Sequence, residues 1–296
     1  MSSIDRFRGT GVALVTPFDK SGNVDFKSLE NVINHVIKGG VEYVVSLGTT
    51  GETPVLSSEE KTAIVKHTVK TVNNRVPVVV GIGGNDTKEV INTIKKFDLK
   101  GVDAVLSVSP YYNKPSQRGI YEHYKAIAAV CPLPIIVYNV PGRTMSNITA
   151  ETTLKLAREV KNIIAVKEAS GNMDQIMQII KNKPKDFLVI SGDDLITLPI
   201  LASGGDGVIS VIANAFPQEF SEMTRQSIAG NFEKARKYHY VLDDFTRLIF
   251  ADGNPAGVKC VLNLMKIASP YVRLPLVDVN STVETALKAE YARYKK

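Results

Sequence analysis

A lysine stands at the end of a run of residues that otherwise reads as a buried β-strand. The run NIIAV at positions 162 to 166 leads directly into Lys167 and Glu168. Buried parallel strands are nearly continuous apolar runs, and a lysine is almost never fully buried without a partner. In a low-dielectric pocket the charged form of a lysine is disfavoured, and a free amine attacks carbonyl groups. Lys167 is therefore a candidate Schiff-base nucleophile.

The alternative interpretation of Lys167 is a structural ion pair. Glu168 is not expected to be the partner, because neighbouring residues along a strand point to opposite faces. Some other carboxylate would then have to pair with the lysine. The residue types by themselves leave both possibilities open.

Polar residues also follow the other apolar runs of the chain. The segments are TPF, GTTGE, GIGGND, SPYYN, YNVPGR, SGDD and SVIAN. They contribute the hydroxyl groups of Thr49, Thr50, Tyr112 and Tyr138, and a linked set of hydroxyls passes protons without a metal or cofactor. By residue type alone, the two threonines also suit a turn, and Tyr138 also suits a core position with its hydroxyl at the rim.

The elements that carry these residues alternate between short aliphatic runs and longer amphipathic ones. GVALVTPF at 11 to 18 precedes a helical pattern, and about eight such strand–helix pairs follow one another. This predicts an α/β fold, a closed (β/α)₈ TIM barrel, with a doubly wound open sheet as the alternative. In a barrel, the carboxyl ends of the strands lie on one face, where such folds place their sites.

The chain is wholly helical in pattern after residue 217. We predict a barrel carrying the active site over residues 1 to 230, and a C-terminal helical bundle packed on it over residues 231 to 296. The 36 basic and 30 acidic residues are interspersed, so the net charge of +6 does not indicate a nucleic-acid partner. No membrane partner is expected of this ordinary globular composition.

Metal and redox chemistry find little support in the sequence. Cys131 and Cys260 lie far apart, and the four histidines fall on separate predicted helices. No secretory segment is visible in MSSIDRFRG, so we expect a cytoplasmic protein without a disulfide, zinc or other cofactor. GIGGND departs from the dinucleotide-binding fingerprint at Asp86. Asp193 and Asp194 are interpreted as helix-capping residues before Leu195 rather than as a carboxylate dyad.

Six segments, in order along nearly the whole chain, resemble the dihydrodipicolinate synthase family of pyruvate-dependent class I aldolases. They are GTTGE (48 to 52), PYYN (110 to 113), YNVPGR (138 to 143), VKEASGN (166 to 172), SGDD (191 to 194) and GVISV (207 to 211). The resemblance implies a synthase that condenses pyruvate with L-aspartate 4-semialdehyde in lysine and diaminopimelate biosynthesis, without a metal.

The resemblance also implies a role for each matching residue. Lys167 would form the Schiff base, Tyr138 would donate and accept protons beside it, and Thr49 and Tyr112 would complete the proton relay. Thr50 and the backbone of Ile209 would hold the pyruvate carboxylate, Gly192 would line the pocket, and Arg143 would bind the carboxylate of the semialdehyde. Tyr112 would reach in from a neighbouring subunit, which implies a homotetramer.

Two other functions remain open at this point. A sister aldolase, such as an N-acetylneuraminate lyase or a keto-deoxy sugar-acid aldolase, would share the lysine but take another acceptor. A non-enzymatic barrel that binds a small acid is the third hypothesis. At the positions that form an inhibitory lysine site in some family members, Ser58 and Lys61 depart from the pattern of the sensitive enzymes.

Overall fold

The computed structural model describes residues 4 to 295, and eight parallel strands in it form one closed barrel. The strands are β1 (Gly9–Ala13), β2 (Tyr43–Ser46), β3 (Val78–Gly81), β4 (Ala104–Val108), β5 (Ile135–Asn139), β6 (Ile163–Glu168), β7 (Leu188–Ser191) and β8 (Gly207–Ser210). Each pairs with the next in chain order, and β8 pairs with β1. The predicted closed barrel is confirmed, and the open sheet is excluded. The outer ends of the predicted segments, at residues 1 to 3 and 296, lie outside the described residues.

The strands are short and buried on both faces, which explains why they read as aliphatic runs. Side chains from the strands fill the interior of the barrel, so it is a packed core rather than a channel. Phe7, just before β1, packs the edge of its ring against Tyr43 with the ring centroids 5.7 Å apart. Phe7 and Tyr43 thus belong to the packed interior at the amino-terminal end of the strands.

Helices follow the strands and cover the outside of the barrel. They are α1 (Phe26–Lys38), α2 (Ser58–Val72), α3 (Thr87–Lys96), α4 (Gln117–Ala128), α5 (Pro141–Thr144), α6 (Ala150–Glu159), α7 (Met173–Asn182), α8 (Thr197–Ala202), α9 (Pro217–Ile228), α10 (Phe232–Ala251), α11 (Ala256–Leu264) and α12 (Ser281–Tyr294). Side-chain caps set several of the starts. At α2, for example, Ser57 and Glu60 form a reciprocal capping box.

The last three helices pack on the barrel through a shared apolar core. Phe216, at the start of α9, stacks on Phe245 of α10 and on Tyr294 of α12, with ring centroids 4.5 and 4.9 Å apart. Helical structure after the barrel is confirmed. Because α9 and α10 contribute to one continuous core, the division at residue 230 stays a prediction.

Candidate active site

Lys167 lies at the carboxyl end of β6, directly opposite Tyr138 of β5 in the strand register. The lysine is only 5% exposed, and its Nζ lies 4.2 Å from the centroid of the Tyr138 ring. Among residues 4 to 295, no carboxylate oxygen lies within 4.0 Å of this ammonium group. The structure therefore supplies no partner for the ion-pair interpretation, and Lys167 is a buried amine beside a phenol.

Glu168 points away from Lys167 to the outer face of the barrel, as the alternation of the strand predicts. Its buried carboxylate accepts hydrogen bonds from Asn139 Nδ2, Gln175 Nε2 and the backbone N–H of Ser170, at 2.9 to 3.1 Å. Burial raises the pKa of this carboxyl group, and the hydrogen bonds oppose the rise. Because Asn139 pairs with Glu168 in the register, this outer cluster helps to hold Tyr138 opposite Lys167 inside.

Gly192, which follows β7, allows the backbone to approach the lysine side chain. A Cβ atom placed on Gly192 would lie 3.0 Å from Cε of Lys167 and 2.8 Å from Cβ of Ala169, both closer than ordinary van der Waals contact. The absence of a side chain at Gly192 therefore leaves room for the observed conformation of the Lys167 side chain. Ile209 lies on β8 with its side chain buried in the barrel interior.

The GTTGE segment forms tight turns after β2. Thr49–Gly51 is a single 3₁₀ turn, and Glu52 follows it in the left-handed region with φ of 55°. Thr50 is only 2% exposed, and its Oγ1 accepts a hydrogen bond of 3.1 Å from Nδ2 of Asn254. The two threonines thus differ: Thr50 is buried and hydrogen-bonded to Asn254, whereas Thr49 lines an open cavity.

That cavity has a volume of about 530 Å³ and opens at the carboxyl ends of the strands. It brings Thr49, Tyr138 and Arg143 together, with Asn254 in its wall. Arg143 lies on α5 and is exposed, so its guanidinium is at the rim of the site rather than at its base. A second cavity, of about 670 Å³, lies on the outside of the barrel between α4, α6 and α7, away from Lys167.

Tyr112 does not join the other predicted residues within one chain. Its side chain is 88% exposed, and its backbone is in the left-handed region with φ of 71°. Its N–H donates to the carbonyl oxygen of Thr144 at 3.3 Å. Residues with a β-carbon rarely adopt this backbone conformation, and those that do are often found at functional sites.

Two residues near the site differ from the sequence predictions. Asn254 had no predicted role, because its partner Thr50 is 204 positions away in the chain. Of the two predicted capping residues, Asp193 accepts through Oδ1 from the N–H of Leu195 at 3.0 Å, although α8 begins only at Thr197. The capping prediction for Asp194 is wrong: its Oδ2 instead accepts from the N–H groups of Val211 and Ile212 at 2.9 Å. The turn after β8 exposes these donors to the neighbouring β7 loop. Burial raises the pKa of Asp194 to about 6.

Over residues 4 to 295, no group of three or more histidine, cysteine, aspartate or glutamate side chains is arranged to hold a metal ion. Within the same range, no helix is both long enough and apolar enough to cross a bilayer. The four histidines lie on α1, α2, α4 and α10, as the sequence pattern predicts.

The chain is similar to known proteins over nearly its whole length. A model of the dihydrodipicolinate synthetase family matches residues 6 to 293. The 4-hydroxy-tetrahydrodipicolinate synthase of Parabacteroides distasonis is 54% identical over 270 residues, which cover 91% of each chain.

Two solved structures show the same architecture. The dihydrodipicolinate synthase of Aquifex aeolicus is 41% identical, with a TM-score of 0.94 over 98% of both chains. A chloride-inhibited dihydrodipicolinate synthase of Acinetobacter baumannii, complexed with pyruvate, is 38% identical, with a TM-score of 0.94 over 97% of this chain and 99% of that one. The chain belongs to the dihydrodipicolinate synthetase family, and the predicted activity, that of a 4-hydroxy-tetrahydrodipicolinate synthase of the class I aldolase type, is confirmed.

Proposed function

We propose that Lys167 forms a Schiff base with pyruvate and that the resulting enamine condenses with L-aspartate 4-semialdehyde. The observation that carries this assignment is a buried lysine that has no carboxylate partner among residues 4 to 295 and that contacts the ring of Tyr138. The related structure complexed with pyruvate supports the choice of keto acid.

The reaction balances with these two substrates alone. The Lys167 amine attacks the carbonyl carbon of pyruvate, and water leaves as the imine forms. The iminium withdraws electrons from the methyl carbon, which loses a proton and attacks the aldehyde carbon of the semialdehyde. The amine of the semialdehyde then attacks the imine carbon, which closes the ring and releases Lys167. One carbon–carbon bond and one carbon–nitrogen bond form, and one water is lost.

Proton transfer in this scheme belongs to Tyr138 and Thr49. Each step moves a proton between carbon, nitrogen and oxygen, and a phenol in a chain of hydroxyls carries it. Nζ of Lys167 lies over the ring of Tyr138, and Thr49 lines the same cavity as this tyrosine. Tyr112 completes the relay from a neighbouring subunit, which is consistent with its exposure and its left-handed backbone. We accordingly infer a homotetramer, with the tetrameric state taken from the family resemblance.

The two carboxylates of the reaction are held at different depths. The hydroxyl of Thr50 and the backbone of Ile209 hold the pyruvate carboxylate near Lys167, and Gly192 lines the pocket there. Arg143, at the rim, takes the carboxylate of the semialdehyde in two parallel hydrogen bonds. This rim guanidinium favours the synthase over sister aldolases, whose sugar acceptors place their charge differently. The cytoplasmic location of the enzyme stays a prediction.

The experiment is reduction of the protein with borohydride in the presence of pyruvate, followed by peptide mapping by mass spectrometry. We expect one adduct, on Lys167. Lys259 is the internal control, because it is also buried but is paired with Glu52. An adduct on Lys259, or none at all, would contradict the assignment. Steady-state rates with aspartate semialdehyde and with sugar-derived aldehydes would then separate the synthase from its sister aldolases.

A further inference from the structure

Asn254 links the C-terminal helices to the active site. It lies between α10 and α11, is 8% exposed, and lines the cavity that contains Thr49 and Tyr138. Its Nδ2 donates to Oγ1 of Thr50, a contact between two buried side chains that are remote in sequence. Thr50 is the residue to which we assign the pyruvate carboxylate.

The direction of this hydrogen bond determines what Thr50 can do. An amide nitrogen only donates, so the Thr50 oxygen is the acceptor and its own O–H proton is not used in the contact. Among residues 4 to 295, the Thr50 hydroxyl donates its proton to no acceptor. A hydroxyl that already accepts a hydrogen bond is also polarised toward donation. The proton is thus available for a substrate carboxylate.

Other buried contacts join the C-terminal region to the same turn. Lys259, on the first turns of α11, pairs with Glu52 at 2.5 Å, and both side chains are 0% exposed. The backbone N–H of Arg273 donates to the second oxygen of Glu52 at 3.0 Å. The C-terminal region therefore contacts both Thr50 and Glu52, through Asn254, Lys259 and the backbone of Arg273.

The side-chain oxygen of Asn254 is in a different situation from its nitrogen. Oδ1 of Asn254 is buried and has no hydrogen-bond partner among the described residues. A buried amide oxygen without a donor is costly, and a small apolar residue would avoid that cost. Asparagine is therefore poorly explained by packing alone.

We propose that Asn254 is a positioning residue for pyruvate, which holds the Thr50 hydroxyl with its proton directed at the substrate carboxylate. The proposal rests on the assignment of Thr50 to that carboxylate. It gives the C-terminal helices a part in substrate binding, exerted through Thr50.

The test is Asn254→Asp, which changes the amide into a carboxylate of the same shape. The carboxylate accepts the Thr50 proton, so the hydrogen bond reverses, and a negative charge is added near the site of the pyruvate carboxylate. We expect KM for pyruvate to rise roughly 10- to 100-fold, the value of one hydrogen bond to a charged group. Since the same contact is lost from the ground state and the transition state, kcat at saturating pyruvate should stay within about threefold of wild type.

Two further variants keep the test decisive if Asn254→Asp folds poorly. Asn254→Ala frees the hydroxyl to rotate and should raise KM by roughly 3- to 10-fold. In a Thr50→Val background, Asn254→Ala should change KM no further, because the positioned hydroxyl is already absent. Asn263→Asp, on the exposed surface of α11, is the matched control for the added charge and should leave KM unchanged.

The outcomes separate this proposal from the proposed function. If wild type traps pyruvate at Lys167 but the Asn254 variants keep its KM, the positioning role is wrong while the mechanism stands. A fall in kcat at unchanged KM would equally overturn it, since a partly misfolded or catalytically impaired enzyme gives that pattern. If wild type does not trap pyruvate, both proposals fail together.

Discussion

Replacing Gly192 by alanine should slow Schiff-base formation by displacing Lys167. The added Cβ would stand 3.0 Å from Cε of Lys167 and 2.8 Å from Cβ of Ala169, so at least one neighbour must shift by several tenths of an ångström. The backbone of Gly192 is not left-handed, so the substitution acts through this contact and not through backbone strain. The contact with Cβ of Ala169 can be relieved only by a backbone shift at the end of β6 or in the loop after β7, whereas the contact with Cε is relieved by rotation of the Lys167 side chain. Both adjustments displace the lysine amine.

The expected size of the effect follows from the geometry of attack. A misplacement of about 1 Å costs roughly 10²-fold in rate, so a shift of about half that size should cost roughly 10-fold. Overpacking of this kind also costs about 1–3 kcal/mol of stability. We therefore expect the rate of pyruvate-adduct formation and kcat/KM to fall roughly 10-fold, with the enzyme still folded at room temperature.

The assay is the time course of borohydride-trapped adduct on Lys167, with a thermal melt of the same sample. Gly142→Ala is the matched control, because a Cβ at that position meets nothing within 4 Å. The control should trap pyruvate at the wild-type rate. If Gly192→Ala also traps at the wild-type rate, the crowding at this glycine does not constrain the lysine, and the assignment of Gly192 to the pocket loses its physical basis.

Three further predictions concern Arg143 at the rim of the site, Tyr112 at the proposed subunit contact, and the ion pair between Glu60 and Arg273. Arg143→Ala should lower kcat/KM for aspartate semialdehyde roughly 10²- to 10³-fold, and Arg143→Lys should also be harmful, because an ammonium cannot form two parallel hydrogen bonds. Pyruvate trapping by Arg143→Ala should match that of wild type. If this variant condenses the semialdehyde as fast as wild type, Arg143 is an ordinary surface charge. Tyr112→Phe should slow turnover by about 10²- to 10⁴-fold without a change in the melting temperature. A fully active monomer in analytical ultracentrifugation at assay concentration would refute the shared site. The hydrogen bond from Arg273 lowers the pKa of Glu60 to about 2, so this carboxylate stabilises the fold above about pH 4.5 and loses that effect as the pH falls toward 2. Glu60→Gln should cost about 1 kcal/mol at pH 7, given the partial exposure of the pair, and urea unfolding should show this difference vanish near pH 2. A difference that does not depend on pH would contradict the ion-pair explanation.

Much of the architecture was predictable from the sequence, because its signals are local. Buried parallel strands read as aliphatic runs, and each run here is followed by an amphipathic stretch. Lys167 was detectable because a charge at the end of such a run breaks a strong local rule. The opposite directions of Lys167 and Glu168 followed from the two-residue period of a strand.

The tertiary structure decided what depends on contacts between distant segments. Closure of the barrel places Lys167 opposite Tyr138 and, within the part of the chain that the structure describes, leaves the lysine without a carboxylate partner. Lys259, which reads as an ordinary helical lysine in the sequence, is instead fully buried against Glu52. Asp194 resembled a helix cap, but it binds the backbone of the next strand's loop, which only the fold brings near.

Asn254 shows why the rest of the site could not be read from the chain. No period or motif connects it with Thr50, since their hydrogen bond depends on how the C-terminal helices fold back over the barrel. The same holds for the approach of Gly192 to Lys167, which only the three-dimensional positions of the backbone reveal. The sequence by itself determined the strands and the chemical groups at their ends. The packing of distant segments determined which of those groups touch and which are left free to react.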